Sequence, residues 1–293
     1  MKIVDAHMHF SSIECFRSTA ARISGVDYSS AGLELEYKNA GVALGIGMGV
    51  VETVTGAFPD MDAPNPMGLD LEDGVPGFIA CCPGVNPVRL QKDRASELQA
   101  LKRQLDKPGT VGIKLFAGYY PFYVHDEVYE PVCSLAAEYC LPLVIHSGVT
   151  YSERGLLKYS HPLQIDELAV RHPETNMIVC HMGDPWVMDT AALISKNPNV
   201  YADLSGLMVM DSAGIVRRAA NPDVMGHFKR ALVFEERYDR FLFGTDWPLA
   251  PVGAYIDFIS RLIPEEYREM VFYSNALRVF RKLDDCMKYA LEV

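Results

Sequence analysis

The chain has 293 residues, of which 49% are hydrophobic and 22% are charged, a globular composition that excludes disordered and fibrous proteins. Its formal net charge of -11 argues against nucleic acid as a partner, because phosphate backbones are bound by clustered Lys and Arg. The length favours one large α/β domain over residues 1–293, since α/β barrels commonly take about 250 residues.

The cellular setting follows from cysteines and hydrophobic runs. Seven cysteines are present without a C-x-x-C pair, which indicates reduced, mostly buried thiols. The N-terminus shows no charged region followed by an apolar one, as a signal peptide would. No apolar run approaches the roughly 20 residues of a membrane span. We therefore expect a cytoplasmic protein without a membrane partner.

Short apolar runs bounded by Gly, Pro, Asn or Ser predict eight strands: residues 3–7, 42–48, 77–82, 111–116, 143–146, 177–181, 200–204 and 241–246. Amphipathic patterns between them predict helices at 87–105, 128–139, 165–171, 186–195 and 224–236. Apolar strands alternating with helices are typical of a parallel sheet covered on its outer face. Eight such units predict a TIM-like (β/α)8 barrel, with a doubly wound open sheet as the alternative.

Three long connections follow predicted strands, at residues 10–31, 52–76 and 147–161. In a barrel they lie on the face at the carboxyl ends of the strands, where substrates bind. The stretch 57–68 is rich in Pro, Asp and Gly, and we expect it to cover that face. The alternative is an ordinary surface loop.

His7 and His9 lie at the end of the first predicted strand. Residues two apart in a strand point to the same side, so both imidazoles face one way. Neutral imidazole suits zinc, iron and similar ions, but an isolated His-x-His is weak evidence. A zinc site needs at least three protein ligands.

Lys114, His146, His181 and Asp246 supply further polar groups, each at or near the end of an apolar predicted strand. Buried titratable groups are costly unless they are paired or bind metal, so their convergence predicts a site. His146 is expected to be a third nitrogen ligand, or else a core histidine. Asp246 is expected to add a carboxylate oxygen, or else to cap a helix.

His181 is either a further ligand or an unligated general acid or base, and the sequence leaves both open. Its neighbour Cys180 is expected to turn away from the barrel interior by strand alternation and to serve only in packing.

These residues resemble the amidohydrolase superfamily, in the amidohydrolase-related family that includes aminocarboxymuconate-semialdehyde decarboxylase and several lactone hydrolases. The similarity spans nearly the whole chain, and its motifs are specific only in combination. Besides the histidines above, they are segment 161–183, Gly-Thr-Asp-Trp-Pro at 244–248 and Asn-Ala-Leu-Arg-Val-Phe at 275–280.

The resemblance implies one divalent metal, usually Zn²⁺ with Mn²⁺ or Fe²⁺ as alternatives, held by His7, His9, His146 and Asp246. It further implies that Asp246 shuttles a proton and that His181 stabilises or protonates the substrate. Some branches of the superfamily carbamylate a lysine at the position of Lys114 to bridge two metals. We expect instead an ordinary Lys114 ammonium that contacts a substrate carboxylate; a structural salt bridge is the third alternative.

Two loop residues, Tyr119 and Arg154, are candidates for gripping a planar acid. We expect a hydrolase that opens a lactone, ester or amide of a small carboxylated metabolite by metal-activated water. Non-oxidative decarboxylation of a small unsaturated or aromatic acid is the alternative. A barrel that only binds, without metal, is a third hypothesis. The resembled family often forms dimers, so a homodimer is one alternative for an oligomeric state that the sequence leaves open.

Overall fold

The computed structural model describes residues 1–10, 14–49, 76–234, 236–284 and 286. Parallel strands form two sheets in these residues. The first has the order β1 (Ile3–Met8), β2 (Val42–Met48), β3 (Ile79–Cys82). The second follows in chain order: β4 (Gly84–Val85), β5 (Ile113–Leu115), β6 (Leu143–Ile145), β7 (Met177–Val179), β8 (Val200–Asp203) and β9 (Phe241–Leu242).

Backbone hydrogen bonds join the two sheets. Pro83, between β3 and β4, accepts from Lys114 N at 2.7 Å, so β3 and β4 act as one barrel strand. At the other seam, Ala6 N donates to Phe243 O at 2.9 Å and Asp246 N donates to His7 O at 2.8 Å. The architecture is therefore the predicted (β/α)8 barrel of the TIM type rather than an open sheet.

The helices surround this barrel. Among the described residues they are α1 (Glu14–Thr19), α2 (Ser30–Ala40), α3 (Pro87–Lys92), α4 (Arg94–Leu105), α5 (Glu130–Glu138), α6 (Leu157–Ser160), α7 (Gln164–Arg171), α8 (Val187–Lys196), α9 (Ser212–Ala219), α10 (Pro222–Leu232), α11 (Val252–Ser260), α12 (Glu265–Glu269) and α13 (Asn275–Val279). Asn86 caps α3 by accepting from Val88 N and Arg89 N, with Pro87 at the first helical position. No helix among these is long and apolar enough to cross a membrane.

The strands separate two apolar layers. Val144, Ile178 and Leu242 belong to an inner cluster that α13 joins through Ala276 and Val279. Their strand neighbours, including Leu143 and Ile145, pack in the larger outer cluster against the helices. This inward and outward alternation buries both faces of the sheet, which explains why the strands read as continuous apolar runs.

All eight predicted strands are confirmed, but one predicted helix was wrong in its extent. The helix predicted over 87–105 is broken at Asp93, which ends α3 and caps α4 through Ser96 N. The long connection at 10–31 contains α1 and a π-helical turn, Ala20–Ser24. The stretch 57–68, expected to cover the barrel mouth, lies outside the described residues.

Candidate metal centre

Side chains from five strand ends meet in one cavity of about 300 Å³. His7, Lys114, His146, His181 and Asp246 all line it, and so does His9. The convergence predicted from the sequence is present in the structure. The remaining wall is largely apolar and includes Phe16, Phe116, Tyr119, Val209 and Leu249.

An irregularity in β1 turns His7 toward the cavity. Ala6 packs in the inner cluster, and the pairing register with β2 shifts between Asp5 and Met8. His7 Nδ1 donates to Asp203 Oδ2 at 2.8 Å, which leaves Nε2 with a free lone pair and no hydrogen-bonding partner in the described chain. Burial, with Lys114 nearby, lowers the pKa of His7 to about 3, so the ring is neutral.

His9 and Asp246 complete a compact group with His7. Asp246 Oδ1 lies 3.0 Å from His9 Nε2 and 3.5 Å from His7 Nε2, yet it makes no hydrogen bond with any described residue. The ligand atoms of the three residues all lie within 4.8 Å of one another. Burial acts to raise the pKa of Asp246, but the histidines around it together hold that pKa below its ordinary value, so it is a carboxylate.

His146 lines the same cavity. Its Nδ1 donates to Ala117 O at 2.8 Å, and Tyr119 packs edge-on with ring centroids 4.8 Å apart. Burial, helped by His181 and Lys114, holds the pKa of His146 well below its usual value. His146 is outside the group whose ligand atoms lie within 4.8 Å, so its role as a metal ligand stays a prediction.

His181 reaches the cavity through a left-handed turn. Its φ is +58° and that of Met182 is +50°, values uncommon for residues other than Gly. Ser205 Oγ donates to Asp203 Oδ1, so the 2.8 Å contact between Ser205 Oγ and His181 Nδ1 makes Nδ1 the donor. The same nitrogen lies 3.9 Å from Asp246 Oδ2, so His181 is held beside the carboxylate.

The prediction that Cys180 points away from the barrel interior was wrong. Cys180 packs in the inner cluster, and Lys114 Nζ donates to its Sγ at 2.9 Å. The prediction assumed regular strand alternation with His181 facing inward, which would turn Cys180 outward. The left-handed turn at His181 instead lets two consecutive side chains, Cys180 and His181, face the barrel interior. Lys114 itself faces the cavity as predicted, and it has no carboxylate within 4.0 Å among the described residues.

Of the two predicted loop residues, the structure brings only Tyr119 to the cavity. Its hydroxyl accepts from Tyr151 N at 2.9 Å, and burial raises its pKa. Arg154 is exposed and does not line the cavity, so its contact with substrate stays a prediction. Its backbone N donates to Ser152 Oγ at 3.2 Å.

Sequence reasoning missed Asp203, Ser205 and Thr245. Asp203 binds His7 Nδ1 and His181 N, and it ends β8 just as the predicted site residues end their strands. The same strand-end rule would therefore have found it. Thr245 donates to Asp5 through both its N and its Oγ1, which fixes the turn that carries Asp246. Nothing in the spacing of Thr245 indicates this contact.

The donor set fits a divalent transition metal. Two imidazole nitrogens and one carboxylate oxygen are ligands that such ions accept. The nitrogen of His7 and the oxygen of Asp246 are buried without hydrogen-bonding partners in the described chain, and a cation between them would satisfy both. Asp203 supplies the second carboxylate that commonly orients a metal-binding histidine.

Solved structures of similar fold include metal-bound enzymes. An amidohydrolase from Burkholderia multivorans with bound zinc is 17% identical, with a TM-score of 0.64 over 96% of this chain and 99% of that one. A dihydroxybenzoic acid decarboxylase from Polaromonas sp. JS666, with bound manganese and the inhibitor 2-nitroresorcinol, is 14% identical (TM-score 0.62; 96% and 97% covered). A probable 2-pyrone-4,6-dicarboxylic acid hydrolase from Acinetobacter baumannii, with citric acid bound, is 16% identical (TM-score 0.61; 96% and 100% covered).

Sequence comparison gives the family. Protein fluG of Emericella nidulans is 32% identical over 71 residues, which are 24% of this chain and only 8% of that much longer relative. The sequence profile of the Amidohydrolase family matches residues 4–282. The profile spans nearly the whole length that was expected to form one domain. The chain therefore belongs to the Amidohydrolase family.

Proposed function

We propose that this chain is a metal-dependent enzyme whose ion is held by His7, His9, His146 and Asp246. The observation that carries the proposal is the fixed orientation of three histidines. His7, His9 and His146 each direct Nδ1 to a carboxylate or backbone carbonyl, at 2.8, 3.2 and 2.8 Å. Each ring therefore keeps Nε2 available as a neutral ligand, the form that binds metal. Zn²⁺ is the preferred ion, with Mn²⁺ or Fe²⁺ as alternatives.

The proposed reaction is hydrolysis of a lactone, ester or amide in a small carboxylated metabolite. The ion would supply a Lewis acid that polarises the substrate carbonyl and lowers the pKa of water to about 7. Asp246, a buried carboxylate beside His181, holds the proton that water loses and passes it to the leaving group. His181, oriented by Ser205, stabilises or protonates the substrate from its other ring nitrogen.

Substrate recognition is assigned to Lys114 and Tyr119. Lys114 has no carboxylate partner among the described residues, so its ammonium is available for a substrate carboxylate. Tyr119 lies beside His146 and offers an aromatic edge to a planar acid. The apolar wall of Phe16, Phe116 and Leu249 would exclude water around such a substrate.

Decarboxylation is the second candidate, favoured by the decarboxylase of similar fold. Loss of carbon dioxide needs a proton on the carbon that the carboxylate leaves, and Asp246 or His181 would donate it. Such a reaction uses the same residues as hydrolysis, so the cavity alone favours neither.

An assay on a panel of small lactones, esters and unsaturated or aromatic acids tests the proposal. Released carbon dioxide identifies a decarboxylase, and a ring-opened or cleaved acid identifies a hydrolase. Asp246→Asn is expected to reduce either activity by about 100-fold or more, because it removes both a ligand and a proton carrier. His227→Asn, outside the cavity lining, serves as the control and is expected to keep full activity. Activity that survives both metal removal and Asp246→Asn would contradict the proposal.

A further inference from the structure

A second group of ligand atoms overlaps the one already described. Atoms of His7, Cys180 and His181 all lie within 4.8 Å of one another, as do those of His7, His9 and Asp246. The two groups share only His7: the first adds the sulfur of Cys180 and the imidazole of His181, and the second adds the imidazole of His9 and a carboxylate oxygen of Asp246. Cys180 is fully buried and is not among the residues that line the cavity.

The two groups are alternatives for a single ion. Nδ1 of His7 is engaged by Asp203, so only Nε2 has a lone pair to give, and it has no partner among the described residues. One nitrogen lone pair binds one cation. His181 likewise uses Nδ1 toward Ser205, and its other nitrogen is the one free to accept a cation.

We infer that Cys180 is a metal ligand that, with His7 and His181, holds thiophilic ions at a position overlapping the His7, His9 and Asp246 position. The inference rests on the proposed metal-binding function. Thiolate sulfur binds soft ions such as Cd²⁺ most strongly, whereas imidazole and carboxylate ligands also suit the borderline ion Zn²⁺ and harder ions such as Mn²⁺. The softness of the ion therefore determines whether it binds with Cys180 and His181 or with His9 and Asp246.

Lys114 affects this position in two ways. Burial raises the pKa of the Cys180 thiol, and the Lys114 ammonium, which donates to Cys180 Sγ at 2.9 Å, opposes that shift. Its positive charge also repels a second cation, which agrees with one ion at a time. Because an ion at the Cys180 position engages His181, it withdraws His181 from substrate, and we expect soft ions bound there to inhibit the proposed reaction.

The test is titration of the metal-free full chain with Cd²⁺ and, separately, with Mn²⁺. Wild-type protein with one equivalent of Cd²⁺ is expected to show the ultraviolet thiolate-to-cadmium charge-transfer band. Cys180→Ser should lose this band and bind Cd²⁺ about 10-fold more weakly or worse, while its Mn²⁺ affinity stays unchanged. Cys133→Ser, which alters a buried thiol on α5, is the matched control and should retain the band.

Each outcome of the titration is informative. If wild-type protein binds both ions without the charge-transfer band, Cys180 is not a ligand, and the proposed function stands. If it binds neither ion, the proposed metal-dependent function fails, and this inference fails with it. If Cys180→Ser does not fold, the ¹¹³Cd NMR shift of the wild-type protein decides, because a sulfur ligand moves that resonance downfield. Two equivalents bound only in the presence of bicarbonate would point instead to a carbamylated Lys114 and would overturn the inference.

Discussion

Gly206 faces the two side chains that govern proton transfer in the proposed site. A Cβ at this position would lie 2.7 Å from His181 Nδ1 and 2.8 Å from Asp246 Oδ2, and the residue has a φ of +65°. Both features require glycine. Gly206→Ala is therefore expected to displace one or both side chains and to reduce activity by about 100-fold.

The control for this change is Gly226→Ala in α10, where nothing lies within 4 Å of the added Cβ. It is expected to keep full activity and to stabilise the helix by up to about 1 kcal/mol, because Ala has the higher helix propensity. Equal activity of the two variants in the assay for the proposed reaction would show that the close approach at Gly206 is unimportant.

Asp203 orients the His7 ring by accepting a hydrogen bond from its Nδ1. Asp203→Asn removes the charge that accepts from His7 Nδ1 and leaves an amide that can donate to it, so the opposite tautomer becomes possible. We expect metal affinity to fall by about 10- to 100-fold, measured by competition with a chelating dye. Asp211→Asn, a change at the N-cap of α9 outside the cavity lining, should leave metal affinity unaltered.

At the scale of elements, the strand ends were the predictable part of the site. His7, His9 and Asp246 could be grouped from sequence because each follows a short apolar strand, and parallel strands end at one rim. The orientation of Cys180 was not predictable, because it depends on the residue at which the inward and outward alternation of strand side chains stops. The left-handed backbone at His181 and Met182 stops this alternation, and neither residue type indicates such a conformation.

Asn275 fastens α13 to the start of β9. Its Nδ2 donates to Tyr238 O at 2.8 Å and to Phe241 O at 2.7 Å, and the side chain is 1% exposed. Asn275→Ala would leave both buried carbonyls without this donor, and we expect it to lower the free energy of unfolding by about 2 kcal/mol. Chemical denaturation measures this loss. The adjacent Ser274→Ala removes a hydroxyl that donates to Glu269 Oε2 at 3.0 Å in an exposed contact, and it should cost less than about 0.5 kcal/mol.

At the scale of the whole molecule, the barrel followed from counting apolar runs, while the helices between them were predicted less well. α2, α9 and α11 were not predicted, although α9 has a clear N-cap in Asp211, which accepts from Gly214 N. The short helices within the connection at 10–31 were not predicted either, because short helices leave little periodicity to detect. Cavity-lining residues in such connections, including Phe16, therefore could not be predicted from the sequence.

Metal binding is expected to stabilise the folded chain, because the proposed ligands come from strands far apart in sequence and assemble only on folding. An ion present at about 1,000 times its dissociation constant adds about 4 kcal/mol to the free energy of unfolding. We therefore expect a chelator to lower Tm by roughly 10 °C, and the added ion to restore it. A Tm that does not respond to chelator or metal would count against a site built across the barrel.

Metal content of the purified protein tests the central claim most directly. Elemental analysis after purification without chelator should give about one divalent transition metal ion per wild-type chain, and less than about half an equivalent for His9→Ala. His227→Ala, at a half-exposed histidine outside the cavity lining, should match the wild type. Less than about half an equivalent in the wild-type protein, or full occupancy in His9→Ala, would contradict a metal centre at His7, His9 and Asp246.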